Sequence, residues 1–195
     1  TRMAQYHPNE GFFEGEVIDP STSVVSVNLA RAGTFPSHIS FNALNYIINP
    51  ENVRQDHISI NRAVDNNEKV VGTNVSGHKI GGTVTNSIVI FPDPMGATGS
   101  TIISAMNIYK NKSYGTARKY IALHLIVTPE YIANVLDKHP DLIIYAVRLD
   151  RGLSDKEILK TSFGKFKDKE RGLNEKQYIV PGGGGFGEIL NNSFV

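Results

Sequence analysis

The sequence predicts an α/β fold built on an open, mostly parallel sheet flanked by helices. Three observations lead there. Short apolar runs at 87–91, 120–127 and 142–147 alternate with helical patterns at about 100–111 and 129–138. Apolar strands joined by helices pair in parallel and need cover on both faces of the sheet. With 195 residues, 40% of them apolar, the chain can bury a sizeable core, and residues 1–195 read as a single domain with a polar opening segment at 1–23.

The elements follow in order. Val24-Val25-Ser26-Val27 reads as a buried strand, and Arg31-Ala32-Gly33 turns the chain out of it. Phe35 to Ile47 reads as a helix with apolar positions 39, 43, 44 and 47, stopped by Pro50. His57 to Asn61 alternates like a strand. Residues 65–86, rich in Gly, Asn, Thr and Val, read as an irregular hairpin or hood with turns near Asn66-Asn67 and Ser76-Gly77. Strand 87–91 and helix 100–111 come next, then strand 120–127. Thr128 caps the following helix, with Pro129 at its first position. After strand 142–147, residues 151–172 form a charged excursion. Ser154 and Glu157 there make a capping-box pattern for a short helix.

Composition excludes several classes. A net charge of +1 gives no reason to expect nucleic acid or a charged membrane surface as partner. The absence of cysteine excludes disulfide scaffolds, thiolate catalysis and thiolate metal sites, and fits a reducing compartment. No apolar run is long enough to span a membrane, and Thr1 to Asn9 is polar. The six histidines show no metal-ligand spacing. Gly182, Gly184 and Gly187 match G-x-G-x-x-G, but no βαβ unit can follow them, so a dinucleotide site is rejected.

The chemistry concentrates in Ser87-Ile-Val-Ile-Phe-Pro-Asp-Pro-Met-Gly-Ala-Thr-Gly-Ser-Thr-Ile102. An apolar strand ends at one acid, Asp93. A small-residue loop, Gly96 to Thr101, then opens an amphipathic helix. Backbone N–H groups in such a loop, at the positive end of a helix, can wrap a phosphate. The carboxylate beside it can accept hydrogen bonds from sugar hydroxyls. The same N–H groups also suit capping by Thr98 or Ser100, and the two uses coexist. Together they suggest a site for a phosphorylated ribose.

Asp93-Pro94-Met95-Gly96-Ala97-Thr98-Gly99-Ser100-Thr101 resembles the DPM-x-ATG segment of uracil phosphoribosyltransferases. Ala30-Arg31-Ala32-Gly33, His139-Pro140-Asp141 and Tyr178-Ile179-Val180-Pro181-Gly182 resemble further segments of that family, in its order, over roughly residues 24–188. The resemblance implies a phosphoribosyltransferase-like sheet, with 65–86 as its hood and 151–172 as an insertion. That insertion reads either as a solvated surface segment or as a lid or subunit contact near the base pocket. Its two ends carry similar sequences, Arg151-Gly152-Leu153 and Arg171-Gly172-Leu173.

The activity the resemblance implies is transfer of phosphoribose from phosphoribosyl pyrophosphate (PRPP) to uracil, giving UMP and pyrophosphate. It implies Asp93 and Arg31 as catalytic residues. PRPP would be bound by Arg31, Arg62, Asp93, Met95, Ala97, Thr98, Gly99, Ser100 and Thr101, and the base by Tyr178, Ile179, Gly184, Gly185 and Phe186. Mg²⁺ would arrive with PRPP, with no direct protein ligand. The expected partners are these small molecules and further copies of the chain, in the cytoplasm. Departures from the family pattern are Ala63 beside Arg62, a different opening segment, and Gly185 where the family has an acid. They leave open a homologue that binds PRPP or a nucleotide without catalysis, or a transferase for another base.

Overall fold

Among the described residues, seven strands assemble into one sheet around β1 (Val24–Ala30), whose residues Val24 to Leu29 are all buried. In this computed structural model the described residues are 15–64 and 70–184 with Gln5, Tyr6 and Pro8, apart from the side chains of 62–64, 70, 71 and 112. In chain order, β1 is followed by α1 (Thr34–Leu44), β2 (Val53–Val64), β3 (Val70–Lys79), β4 (Ile88–Pro92) and the two-residue β5 (Met95–Gly96). Then come α2 (Ser100–Lys110), β6 (Lys119–Val127), α3 (Pro129–Lys138), β7 (Leu142–Leu149) and the single turn α4 (Lys156–Leu159).

The sheet runs β3, β2, β1, β4, β6, and β6 also pairs with β5 and with β7. All pairs are parallel except β2 with β3. The main core lies on one face, where Val25, Val27, Leu29, Val89, Phe91, Tyr120 and Ala122 meet α2 (Ile102, Ala105, Met106, Tyr109) and α3 (Tyr131, Val135). On the other face, Val24, Ile88 and Ile90 pack against Phe41, Leu44 and Ile48. Cover thins at β7, where Tyr145 and Val147 are exposed. No helix among the described residues is long and apolar enough to cross a membrane.

Three local expectations are corrected. The first helix ends at Leu44, and Ser37 is its buried residue, while Phe35, Ile39 and Ile47 are exposed. Hydrogen bonds set its phase: Ser26 Oγ donates to the Ser37 carbonyl, and Gln55 Nε2 donates to Ser37 Oγ. These polar contacts turn Ser37 and Phe41 inward beside Leu44, the one position of the expected 39/43/44/47 stripe that faces the core. The hood is a long antiparallel ribbon, and Ser76-Gly77 lies within β3 as a bulge: Ser59 pairs with Gly77, but Ile60 pairs with Val75. The turn expected at Asn66-Asn67 lies outside the described residues. Ser154 does not cap α4, whose N-cap is Asp155. Its hydroxyl accepts from Arg171 N at 2.8 Å instead. Thr128 does cap α3, accepting from Tyr131 N at 3.0 Å, with Pro129 in the first position.

Candidate functional site

The site begins at a break in a strand. β4 and β5 hold one register against β6, from Ile88 opposite Lys119 to Gly96 opposite Val127, so they are a single strand interrupted at Asp93-Pro94. Asp93 N still donates to Leu123 O at 3.0 Å. Pro94 has no N–H to continue the ladder, and its carbonyl accepts from both Leu125 N and Ile126 N. The interruption presents the Asp93 side chain, 9% exposed, at the carboxyl end of the strand, where parallel sheets bind ligands.

A buried imidazole supports the bend. His124 Nδ1 lies 2.5 Å from the Asp93 carbonyl, and its Nε2 lies 2.6 Å from Tyr131 Oη. A carbonyl only accepts, so Nδ1 carries the proton and Nε2 accepts from the Tyr131 hydroxyl. Burial holds the His124 pKa down to about 4, against the opposing pull of the Asp93 carbonyl. Burial, and then the charge of Asp93, push the Tyr131 hydroxyl well above its ordinary range. Because the folded pKa of His124 lies below the unfolded value near 6.5, its contribution is intact above that pH. It is lost as pH falls from 6.5 toward 4, at up to about 1.4 kcal/mol per unit. Denaturant titrations should therefore show wild type losing about 2–3 kcal/mol more than His124→Gln between pH 6.5 and 4.5. Parallel pH curves for the two proteins would contradict the assignment.

The loop after the bend is pinned from the α3 side. Thr128 Oγ1 donates to Ala97 O at 2.7 Å, and Asn134 Nδ2 donates to Thr98 O at 3.1 Å. Gly99, with φ +86°, turns the chain into α2, which has no side-chain N-cap bond. Ser100 N makes a long 3.4 Å contact to Thr98 Oγ1, and the next first-turn N–H groups of α2 are left as donors at a positive helix end. Thr98 and Ser100 join their hydroxyls at 2.9 Å. Asp93, Met95, Ala97, Thr98, Gly99, Ser100 and Thr101 all line one pocket, completed by Gly96, Ile102, Tyr131 and Gln177.

None of the other described residues expected at the site lines this pocket. Arg31 is exposed on the turn after β1, the strand beside β4, and its peptide bond to Ala30 is cis. That turn abuts the end of β4: a Cβ on Gly33 would sit 3.1 Å from Pro92 O and 2.7 Å from Leu29 O. Behind it, Asn28 is bonded to His57 Nδ1 (3.1 Å) and to the Thr34 hydroxyl (3.1 Å), tying the turn to β2. Arg31 does not line the pocket wall. Arg62 lies on β2 opposite Thr73, and its side chain is outside the described residues.

At the C-terminal loop, Ile179 forms a bridge with Leu173, Tyr178 is 40% exposed, and Gly184 is exposed. Gln177, next in the chain to Tyr178, reaches the pocket wall. Gly185 and Phe186 lie outside the described residues. Sequence reasoning missed Tyr131, His124 and Gln177. His124 and Tyr131 come from β6 and the first turn of α3, and only the fold brings them under Asp93. No group of three or more metal-ligating side chains occurs among the described residues. Among the described residues, Asp93 is the one carboxylate in the pocket wall.

The chain is 37% identical over 93 residues to a uracil phosphoribosyltransferase of Thermococcus sibiricus, covering 48% of the chain and 39% of the relative. It is 40% identical over 84 residues to a uracil phosphoribosyltransferase of Thermosipho africanus, covering 43% and 39%. These alignments thus span well under half the length of either relative. Among solved structures, the AQ2163 protein from Aquifex aeolicus matches with a TM-score of 0.61 at 24% identity, covering 86% of this chain and 64% of that one, which supports the fold. The family model for uracil phosphoribosyltransferase matches residues 2–170, most of the chain though short of the 178–186 loop, and the chain belongs to that family.

Proposed function

We propose that the protein transfers the phosphoribosyl group of PRPP to uracil, giving UMP and pyrophosphate. The observation that carries this is one pocket joining the Asp93 carboxylate to the amide-rich loop that opens α2. The loop 98–101 would hold the 5-phosphate. Asp93 would accept hydrogen bonds from the ribose hydroxyls and oppose the positive charge that grows on the ring as its C1–O bond breaks. No protein nucleophile is needed, because holding base and sugar in line supplies much of the acceleration. Arg31, on the turn packed against β4, would reach the pyrophosphate with its planar donor fork. Arg62 is assigned there with it. The 178–186 segment would present backbone groups to the base.

Mg²⁺, when bound, neutralises part of the charge on the departing pyrophosphate. With one carboxylate in the wall among the described residues, the pocket suits an ion held chiefly by PRPP oxygens. The homo-oligomer implied by the resemblance belongs to the same proposal, and exposed Leu125, Tyr145 and Val147 offer it apolar surface.

The test is nucleotide formation from PRPP with radiolabelled uracil and a panel of other bases. UMP formed faster than any other nucleotide is the expected result. Preferred use of another base would reassign the substrate. PRPP binding with no turnover on any base would favour the non-catalytic reading that Gly182 to Gly185 motivates, since no carboxylate stands in that glycine run.

A further inference from the structure

The 151–172 excursion is folded around buried charge. Arg151 Nη1 and Glu170 Oε1 lie 2.8 Å apart, at 15% and 0% side-chain exposure. Glu170 also accepts from Gly164 N, and Arg151 Nη2 donates to Thr161 O. The two similar sequences at its ends lie side by side: Leu153 N donates to Arg171 O at 3.1 Å, and Arg171 N donates to Ser154 Oγ. Each glycine of this pair is sterically required. A Cβ on Gly152 would stand 2.6 Å from Pro181 Cδ, and one on Gly172 would stand 2.3 Å from Asp150 O. The excursion therefore closes directly against the Tyr178–Gly182 segment.

Two carboxylates outside the pocket join that closure to the scaffold. Glu130, in the first turn of α3, accepts from Gly172 N (3.0 and 3.1 Å to its two oxygens) and from Leu173 N (3.2 Å). Gly172 O then accepts from Val180 N at 3.0 Å. Asp150, 1% exposed just past β7, accepts from Gly152 N at 3.1 Å and from Gly182 N at 3.0 Å. Glu130 lies two residues after Thr128, which pins the phosphate loop through Ala97 O. One short stretch of chain thus references both loops to a common origin. We infer that Glu130 and Asp150 are positioning residues: through the Gly172 and Gly182 amides they fix the 178–184 loop at the distance from the phosphate loop that the base requires. The excursion is then part of the rigid mount of the base loop.

This inference rests on the reading of 178–186 as the base segment. Its test uses Glu130→Gln and Asp150→Asn, which keep shape and replace one accepting oxygen with a donor facing a backbone N–H. Loss of a charge-assisted hydrogen bond predicts a rise of about tenfold or more in KM for uracil, with KM for PRPP changed less than about twofold. Amide hydrogen exchange in 178–184 should quicken in both variants while exchange in the main-core strands stays as in wild type. Unchanged exchange in both variants would overturn the anchoring whatever the enzyme does. An equal rise in both KM values, with wild type active, would overturn the selective role while leaving the transferase reading standing. Absence of wild-type turnover with every base would instead remove that reading, and the positioning role with it.

Discussion

Asp93→Asn is expected to lower kcat/KM for UMP formation by about 10²–10³-fold, roughly 3–4 kcal/mol of transition-state stabilisation. The substitution keeps an oxygen that can accept from Met95 N, the 3.4 Å contact made by Oδ1, and it leaves the backbone bonds of the bend in place. What it removes is the negative charge. In the proposed reaction that charge faces a sugar ring that becomes cationic as pyrophosphate leaves, inside a site where water competes poorly. The loss should therefore fall mainly on kcat, and thermal unfolding should shift little. An active Asp93→Asn enzyme with wild-type kcat would take Asp93 out of the chemistry.

The second large effect is expected at Gly99. Its φ of +86° is a conformation that costs an L side chain about 1–2 kcal/mol. A Cβ there would also stand 2.5 Å from Val135 Cγ2, a fully buried core side chain with no room to retreat. Gly99→Ala should thus destabilise the fold by about 2–4 kcal/mol in denaturant titrations. It should also weaken PRPP binding at least tenfold, because the loop must shift off the phosphate to relieve the contact. Gly77→Ala is the comparison: nothing lies within 4 Å of its Cβ, and its stability should stay near wild type. Equal stability losses in the two variants would contradict the packing argument.

Much of this was legible because the informative signals are local. The runs at 87–91, 120–127 and 142–147 are apolar enough to be buried strands, and each was found within two residues of its place. The pocket wall takes every residue from Asp93 to Thr101 except Pro94, so the strand, the acid and the small-residue loop could be read together. What was not legible depends on contacts between distant segments. The phase of α1 is set by Ser26 and Gln55 bonding to Ser37, and no helical periodicity in 35–47 contains that information. Ser76-Gly77 looks like a turn and is a bulge, because the partner strand extends past it on both sides. His124 and Tyr131 meet only after β6 and α3 are in place. The similarity of Arg151-Gly152-Leu153 to Arg171-Gly172-Leu173 was a visible signal. Its meaning, two segments paired at the foot of the excursion, needed the fold.

The most direct measurement is the wild-type half of the PRPP titration used for Gly99→Ala. In calorimetry with Mg²⁺ present, PRPP should bind one per chain and be displaced by ribose 5-phosphate, which shares the sugar and its phosphate. Asp93→Asn should bind only modestly more weakly, since its loss falls mainly on kcat, and Gly99→Ala at least tenfold more weakly. Absence of binding at millimolar PRPP, or binding that Gly99→Ala and Asp93→Asn both leave unchanged, would contradict the assignment of the pocket between Asp93 and the start of α2.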